Sequence, residues 1–141
     1  MSNEYKDYQN DLRAIFNYKM REVEFLYDGW RNSFVSAMMD EMFSALGSYV
    51  EDFEVYQIKE KYGSLTIYKG WKDREYTEEE FNDIDDINAE LNLIIEKYRN
   101  ISGHTCVQCG GKATYFSSHW VIPWCKSCRD PKLGVFGYID D

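Results

Sequence analysis

All four cysteines of the chain form one pattern, Cys106-x2-Cys109 followed after fifteen residues by Cys125-x2-Cys128. A C-x2-C turn brings two thiolates to adjacent corners of a tetrahedron, and a hairpin of about this length returns a second pair to the other two corners. Gly110 follows the first pair, where the chain must turn sharply. The pattern therefore predicts a structural site for one Zn²⁺ ion, with these four cysteines as ligands.

Disulfide bonds are one alternative use of the cysteines. The first ten residues include Glu4, Lys6 and Asp7 and contain no apolar run, so we expect no secretory signal. We also expect no membrane span, because no stretch of the chain is apolar for long enough. Both expectations indicate a reducing cytoplasm, in which disulfides rarely persist.

Redox catalysis is the second alternative, because Trp124 followed by Cys125-x2-Cys128 is superficially similar to a thioredoxin motif. Pro131 opposes the long helix that such a motif requires. His104 and His119 flank the cysteines, but four thiolates already complete a tetrahedron. We therefore expect both histidines to be outer-sphere or surface residues.

Length and composition favour a folded protein with a substantial core. The 141 residues suit one compact domain or a small domain with a zinc module, and 44% of them are hydrophobic. Aromatic residues are unusually abundant at 17%, with twelve Tyr, eight Phe and four Trp. These rings either thicken the core of a small protein or lie partly on a surface that binds something.

The charge is divided unevenly between residues 1–100 and residues 101–141. The first segment has twelve Lys or Arg against twenty-two Asp or Glu, whereas the second has four against three. A net charge of −9 repels a phosphate backbone, which argues against nucleic-acid binding by the whole surface. A local basic patch remains possible between Lys59 and Arg74. A strongly acidic face can alternatively serve solubility or occupy a basic groove on another protein.

The apolar periodicity predicts two helices and a hairpin in the first half of the chain. Steps of three to four residues predict helices over about residues 4–20 and 30–46, the second ending before Gly47. Strands are predicted at 53–60 and 65–71, and together they form a hairpin that spans about residues 53–71. Tyr56 and Ile58 are expected on one face of its first strand.

A long helix is predicted over about residues 77–99. Thr77 and Glu80 form a capping box at its start, and apolar residues recur at helical spacing as far as Tyr98. Its outer face carries the acidic excess, with Glu78, Glu79, Asp83, Asp85, Asp86 and Glu90.

The remaining residues, 101–141, are predicted to form a zinc-ribbon module and a tail. Strands are expected at 113–116 and 119–124, and the apolar run from Leu133 to Ile139 is expected to dock back or add an edge strand. A ribbon has little core of its own, so we expect it to pack on residues 1–100. The predicted fold class is α+β, with helices, a hairpin and the ribbon packed as one composite domain.

Three segments resemble a group of small, largely uncharacterised proteins encoded by tailed phages and prophages. They are Asp28-Gly29-Trp30, the hairpin sequence QIKEKYGSLTIY at 57–68, and the paired cysteine motifs. The resemblance covers most of the chain after residue 28, although Thr66 stands where relatives often have Arg. It implies a phage or prophage protein that acts in a bacterial cytoplasm.

No residue pattern indicates catalysis. The chain has two histidines, both beside the cysteines, and no Gly-rich phosphate loop or nucleophile elbow. We therefore expect a non-enzymatic interaction protein that binds and modulates or inhibits a bacterial host or defence protein. Its expected contact surface is the acidic helix, at Glu79, Asp83 and Asp86.

Two other functions remain open. A nucleic-acid-binding regulator would use the ribbon and the basic hairpin, through Lys59, Lys61 and Lys69. A small-molecule or nucleotide binder would use aromatic stacking, and the candidate rings are Trp30, Tyr68 and Trp71.

Overall fold

The computed structural model describes residues 26–118, 121–129 and 134–139. This part of the chain contains both helices and antiparallel strands, which confirms the α+β class. The predicted helix over residues 4–20 lies outside the described residues, as do His119 and Trp120. The elements are α1 (Asp28–Ser33), α2 (Val35–Leu46), a 3₁₀ turn (Gly47–Tyr49), β1 (Phe53–Lys61), β2 (Ser64–Trp71), α3 (Glu78–Gly103), β3 (Tyr115–Ser117), β4 (Pro123–Trp124) and β5 (Val135–Tyr138).

The stripe predicted as one helix over residues 30–46 forms two helices, which meet at Phe34. Phe34 leaves helical geometry, with φ −132° and ψ −10°, and its ring stacks on Tyr98 at 6.0 Å between centroids. The break lets Trp30 in α1 reach the Thr105 carbonyl while α2 packs on the core. α2 ends at Gly47 with φ 54°, as its sequence predicts.

The β1–β2 hairpin matches the predicted span but contains a β-bulge. Tyr62 and Gly63 form a two-residue turn in which both have positive φ, 52° and 87°, as in a type I′ turn. The register shifts between Val55 and Gln57, which inserts one extra residue into β1. The expectation that Tyr56 and Ile58 share a face was therefore wrong, since Tyr56 is exposed and Ile58 is buried.

Helix α3 begins with the predicted capping box and ends four residues beyond the predicted end. Thr77 accepts a hydrogen bond from the Glu80 N–H, and the Glu80 carboxylate accepts one from the Thr77 N–H. The buried Ser102 hydroxyl stabilises the extra turn. It donates a hydrogen bond to the Arg99 carbonyl at 2.6 Å and accepts one from the Leu65 N–H at 2.8 Å. In the described part of the chain, no helix combines the length and the apolar character needed to cross a membrane.

The cysteine-rich segment contributes a small sheet with strand order β4-β3-β5. β3 pairs antiparallel with β4 through Tyr115 and Trp124, and with β5 through Tyr115 and Tyr138. The last residues therefore add an edge strand, as their apolar run predicts. The strands are shorter than the predicted 113–116 and 119–124, and Pro123 opens a β4 of two residues.

One hydrophobic cluster contains side chains from both predicted segments. Trp30, Phe53 and Leu91 are fully buried in it, together with Val107 and Ile122 from beyond residue 100. The three methionines Met38, Met39 and Met42 are also buried there, so they pack in the core and do not line an open groove.

Candidate metal centre and binding surfaces

The four cysteines meet at one point, although two separate turns carry them. The sulfur atoms of Cys106, Cys109, Cys125 and Cys128 all lie within 4.8 Å of one another. Cys106 is buried and Cys109 is exposed, so the cluster lies at the edge of the protein. The sequence therefore correctly predicted that these four residues form one constellation.

The spacing of the sulfurs fits a tetrahedral metal, and Cys109 and Cys125 are too far apart to form a disulfide bond. Cys109 Sγ and Cys125 Sγ are 3.7 Å apart. A Zn–S bond of about 2.3 Å gives a tetrahedron whose edges are about 3.8 Å long, whereas a disulfide bond is about 2.05 Å. The donor set and its geometry thus fit a thiophilic metal ion.

The electrostatics of the cluster also favour a bound cation. Burial opposes ionisation of Cys106, but N–H groups of Cys109, Cys125 and Gln108 point at its sulfur and lower its pKa to about 7. In Cys128, the hydrogen bond to the Cys125 sulfur, burial and the other nearby sulfurs raise the pKa to about 12. The pKa of Cys106 is thus lowered while that of Cys128 is raised, and four thiolates held this close together require a positive charge among them.

The redox alternative finds no support in the local backbone. Residues 126–128 form a turn, so no helix begins at Cys125 to activate its thiol. His104 caps the end of α3, and its exposed ring lies with Nδ1 2.8 Å from the Asn100 carbonyl oxygen. It is therefore an outer residue, as the sequence predicts, and not a ligand.

Helix α1 presses directly on the first cysteine turn. The Gly29 N–H donates to the Val107 carbonyl at 2.8 Å, and Trp30 Nε1–H donates to the Thr105 carbonyl at 3.0 Å. A Cβ atom on Gly29 would lie 2.1 Å from the Cys106 carbonyl oxygen and 2.7 Å from the Gly110 nitrogen. The cysteine turn and α1 thus touch backbone to backbone, which requires glycine at this position.

An exposed row of carboxylates runs along α3, and we call Glu79, Asp83, Asp86 and Glu90 the acidic stripe. Their spacing of four, three and four residues places them on one side of the helix, and all four are exposed. None of them has an ion-pair partner among the described residues. Asp83 accepts a hydrogen bond of 2.7 Å from the Tyr49 hydroxyl, which raises the pKa of Tyr49 to about 12.

The three lysines predicted to form one basic hairpin surface do not share a face. Lys59 pairs with Thr66 in the register, on the same face as the exposed Tyr68. Lys69 follows the opposite alternation, with the buried Leu65, and its burial lowers its pKa. Lys59 and Lys61 therefore lie on the outer face of the hairpin, whereas Lys69 lies on the inner face.

The three rings proposed for ligand stacking also do not meet. Trp30 is 0% exposed, so its placement on a partner surface was wrong, because the ring fills the core beside the cysteine turn. Trp71 lies on the inner face of β2, and its Nε1–H donates to Asn88 at 3.0 Å. Of the three rings, Tyr68 is the exposed one.

The structure adds exposed apolar residues that the sequence reasoning missed. Leu93 is 74% exposed and continues the acidic stripe, three residues after Glu90. Its place in the same helical row as the carboxylates is the signal that could have identified it. Tyr62, at the hairpin turn, is 83% exposed.

Comparison of the chain with protein-family models, with curated proteins and with solved structures finds no match in any of the three. The phage resemblance therefore gains no support from these comparisons. The described residues define an α+β protein with a four-cysteine cluster suited to a metal ion.

Proposed function

We propose that this chain is a non-enzymatic, zinc-stabilised interaction protein whose acidic stripe binds a basic surface on a bacterial host or defence protein. The observation that carries the proposal is the stripe itself, four exposed carboxylates without an ion pair among the described residues. Such a row attracts a basic surface during encounter and disfavours acidic competitors. The exposed Leu93 in the same row supplies an apolar contact beside the charges.

A groove beside the stripe gives this surface a second feature. It has a volume of about 290 Å³, and its walls include Asp40, Glu90 and the partly buried Ile94. A lysine or arginine side chain carries an apolar stem and a cationic head, so the stem can lie on Ile94 while the carboxylates face the charge. The groove thus supports a partner that presents long basic side chains.

The metal is zinc in this proposal, and its role is structural. Four thiolates in a closed tetrahedron suit Zn²⁺ and leave no open position for a substrate or an activated water. The backbone contact between the cysteine turn and Gly29 joins the site to α1, so we propose that residues 1–100 and 101–141 form one composite domain. Native mass spectrometry of the protein purified without added metal should find one Zn²⁺ ion per chain, and iron or no metal would contradict this assignment.

The phage-like resemblance supports a bacterial cytoplasm as the place of action, where thiolates stay reduced and can hold zinc. A non-enzymatic role is supported by the cysteines, which are committed to one closed cluster, and by His104, which caps a helix. A small-molecule stacking site is less well supported, because Trp30 and Trp71 are packed on the inner side of the fold.

The interaction is tested with a charge-reversed stripe and a matched control. The test variant carries Glu79→Lys, Asp83→Lys and Asp86→Lys. The control reverses three other exposed carboxylates, at Glu51, Asp73 and Glu75, and so has the same net charge. Each tagged protein is expressed in the bacterial host, and the proteins that co-purify are quantified by mass spectrometry.

We expect a stoichiometric protein to co-purify with the wild type and the control and to be lost from the stripe variant. Titration of the purified pair by calorimetry should then show affinity that falls steeply with added salt, because the attraction is between exposed charges. Circular dichroism checks that the stripe variant is folded. Equal recovery of the same partner with all three proteins would refute the acidic interface.

A further inference from the structure

The outer face of the β1–β2 hairpin exposes aromatic rings beside lysines. Tyr56 is 57% and Tyr68 is 40% exposed, and the alternation of the strands places Lys59 and Lys61 on the same face. The Lys59 ammonium lies 5.4 Å from the centre of the Tyr68 ring. We call these four residues the tyrosine–lysine face.

The tyrosine–lysine face is held in place by the fold. Tyr56 is the extra residue of the β-bulge, and its hydroxyl lies over Gly70, where a Cβ atom would be 2.3 Å away. The bulge re-aims this side chain, and the glycine gives the ring room to lie across the sheet. Neither lysine has an ion-pair partner among the described residues.

We propose that the tyrosine–lysine face binds single-stranded nucleic acid. Exposed rings on a sheet offer stacking to unpaired bases of any sequence, and neighbouring lysines neutralise the phosphates that connect them. A paired duplex buries its base faces and would use the lysines alone. An acidic peptide would likewise leave the rings unused, so the combination of rings and lysines favours an unpaired strand.

The hairpin turn extends this surface toward α3. Tyr62 is a bulky residue at φ 52°, a conformation rarely adopted by aromatic residues, and its ring is almost fully exposed. A cavity of about 320 Å³ lies beside it, lined in part by Arg99, Asn100 and Phe116. A strand that leaves the tyrosine–lysine face at the turn would meet this ring and the Arg99 guanidinium. Both groups suit a nucleotide.

The acidic character of the whole protein does not prevent this binding. α3 packs on the inner side of the sheet, through Trp71–Asn88 and Leu65–Ser102 contacts, so its acidic stripe is separated from the outer face by the sheet. Glu60 lies between the two lysines in sequence, but its carboxylate is engaged by the Gly63 N–H at 2.8 Å. Exposed charges beyond about 8 Å are largely screened at physiological ionic strength.

The test measures fluorescence anisotropy of labelled twelve-nucleotide oligo(dT) and oligo(rU) with the full chain. The first variant, Tyr56→Leu with Tyr68→Leu, keeps apolar surface but removes the rings, and should weaken binding by about ten-fold for each ring that stacks. The second, Lys59→Gln with Lys61→Gln, should weaken binding and reduce the log–log salt slope by about 0.7 for each lysine.

The matched control is Lys72→Gln with Lys126→Gln, which removes the same charge from outside the tyrosine–lysine face and includes a lysine of the second cysteine turn. Binding by this control should stay near that of the wild type. A loss equal to that of the Lys59 and Lys61 variant would overturn the proposal, as would wild-type binding that is absent or competed equally by poly-glutamate. The variant with the charge-reversed acidic stripe should retain oligonucleotide binding. A failure of the proposed protein–protein interaction therefore does not affect the proposal for single-stranded nucleic acid.

Discussion

Replacing Gly29 with alanine should destabilise the protein strongly, although the residue lies in a helix. In an open helical position the same change stabilises a protein by about 0.5 to 1 kcal/mol. At Gly29 the new methyl carbon would lie 2.1 Å from the Cys106 carbonyl oxygen, whereas an ordinary carbon–oxygen contact is about 3.3 Å or more. The Cys106 oxygen and the nearby Gly110 nitrogen are both backbone atoms, so α1 and the cysteine turn must move apart by about 1 Å.

That movement sets the size of the effect. The Gly29–Val107 and Trp30–Thr105 hydrogen bonds, 2.8 and 3.0 Å long, would be stretched beyond useful range. Each contributes about 1 kcal/mol, and an overpacked contact costs about 1 to 3 kcal/mol. We therefore expect the free energy of unfolding to fall by about 3 to 5 kcal/mol.

The assay is urea unfolding of the zinc-loaded protein, followed by tryptophan fluorescence. With a slope of about 2 kcal/mol per molar urea, the midpoint should fall by about 2 M. Gly103→Ala is the matched control, because nothing lies within 4 Å of its added methyl group at the end of α3. The control should be neutral or slightly stabilised. A Gly29→Ala midpoint equal to that of the wild type would refute the proposed contact between α1 and the metal site.

Two further perturbations test the metal and the acid response. Chelation with a membrane-permeable zinc ligand should remove the β-sheet and near-ultraviolet circular dichroism signals together. Both signals should return when Zn²⁺ is added back. Unchanged spectra after verified metal loss would contradict a structural role. Hydrogen bonds from Arg74 lower the pKa of Asp52 and Glu80 in the folded protein. The two ionised carboxylates therefore stabilise the fold above their unfolded pKa values, about 4. This stabilisation disappears as the pH falls through the lower folded values. Arg74→Gln should thus reduce the urea midpoint at pH 7 and approach the wild type in acid; a difference independent of pH would count against this origin.

The sequence identified those features whose signal is local. The C-x2-C spacings, the Thr77–Glu80 capping box and the span of the β1–β2 hairpin each depend on residues close together in the chain, and each occurs as predicted. The edge strand near the C-terminus followed from a short apolar run in the same way.

The features that sequence reasoning missed depend on contacts between distant segments. The break at Phe34 depends on distant contacts of both helices, since Trp30 in α1 donates to the Thr105 carbonyl while α2 buries its methionines in the core. The bulge at Tyr56 reverses the strand alternation, and nothing in the neighbouring sequence marks it. The separation of Lys69 from Lys59 follows from that alternation and from the packing of α3 on one side of the sheet.

The contact between α1 and the cysteine turn requires a glycine on each side, at Gly29 and at Gly110. Gly29 faces the turn, and a Cβ atom on Gly110, whose φ is +78°, would lie 2.7 Å from the Gly29 carbonyl oxygen. Neither position accepts a side chain without moving the other segment. Trp30, the neighbour of Gly29, fills the core, so displacement of the cysteine turn also displaces a fully buried ring. A metal ion held by the four cysteines would therefore be coupled to the hydrophobic core, and its loss should affect the fold well beyond the four ligands.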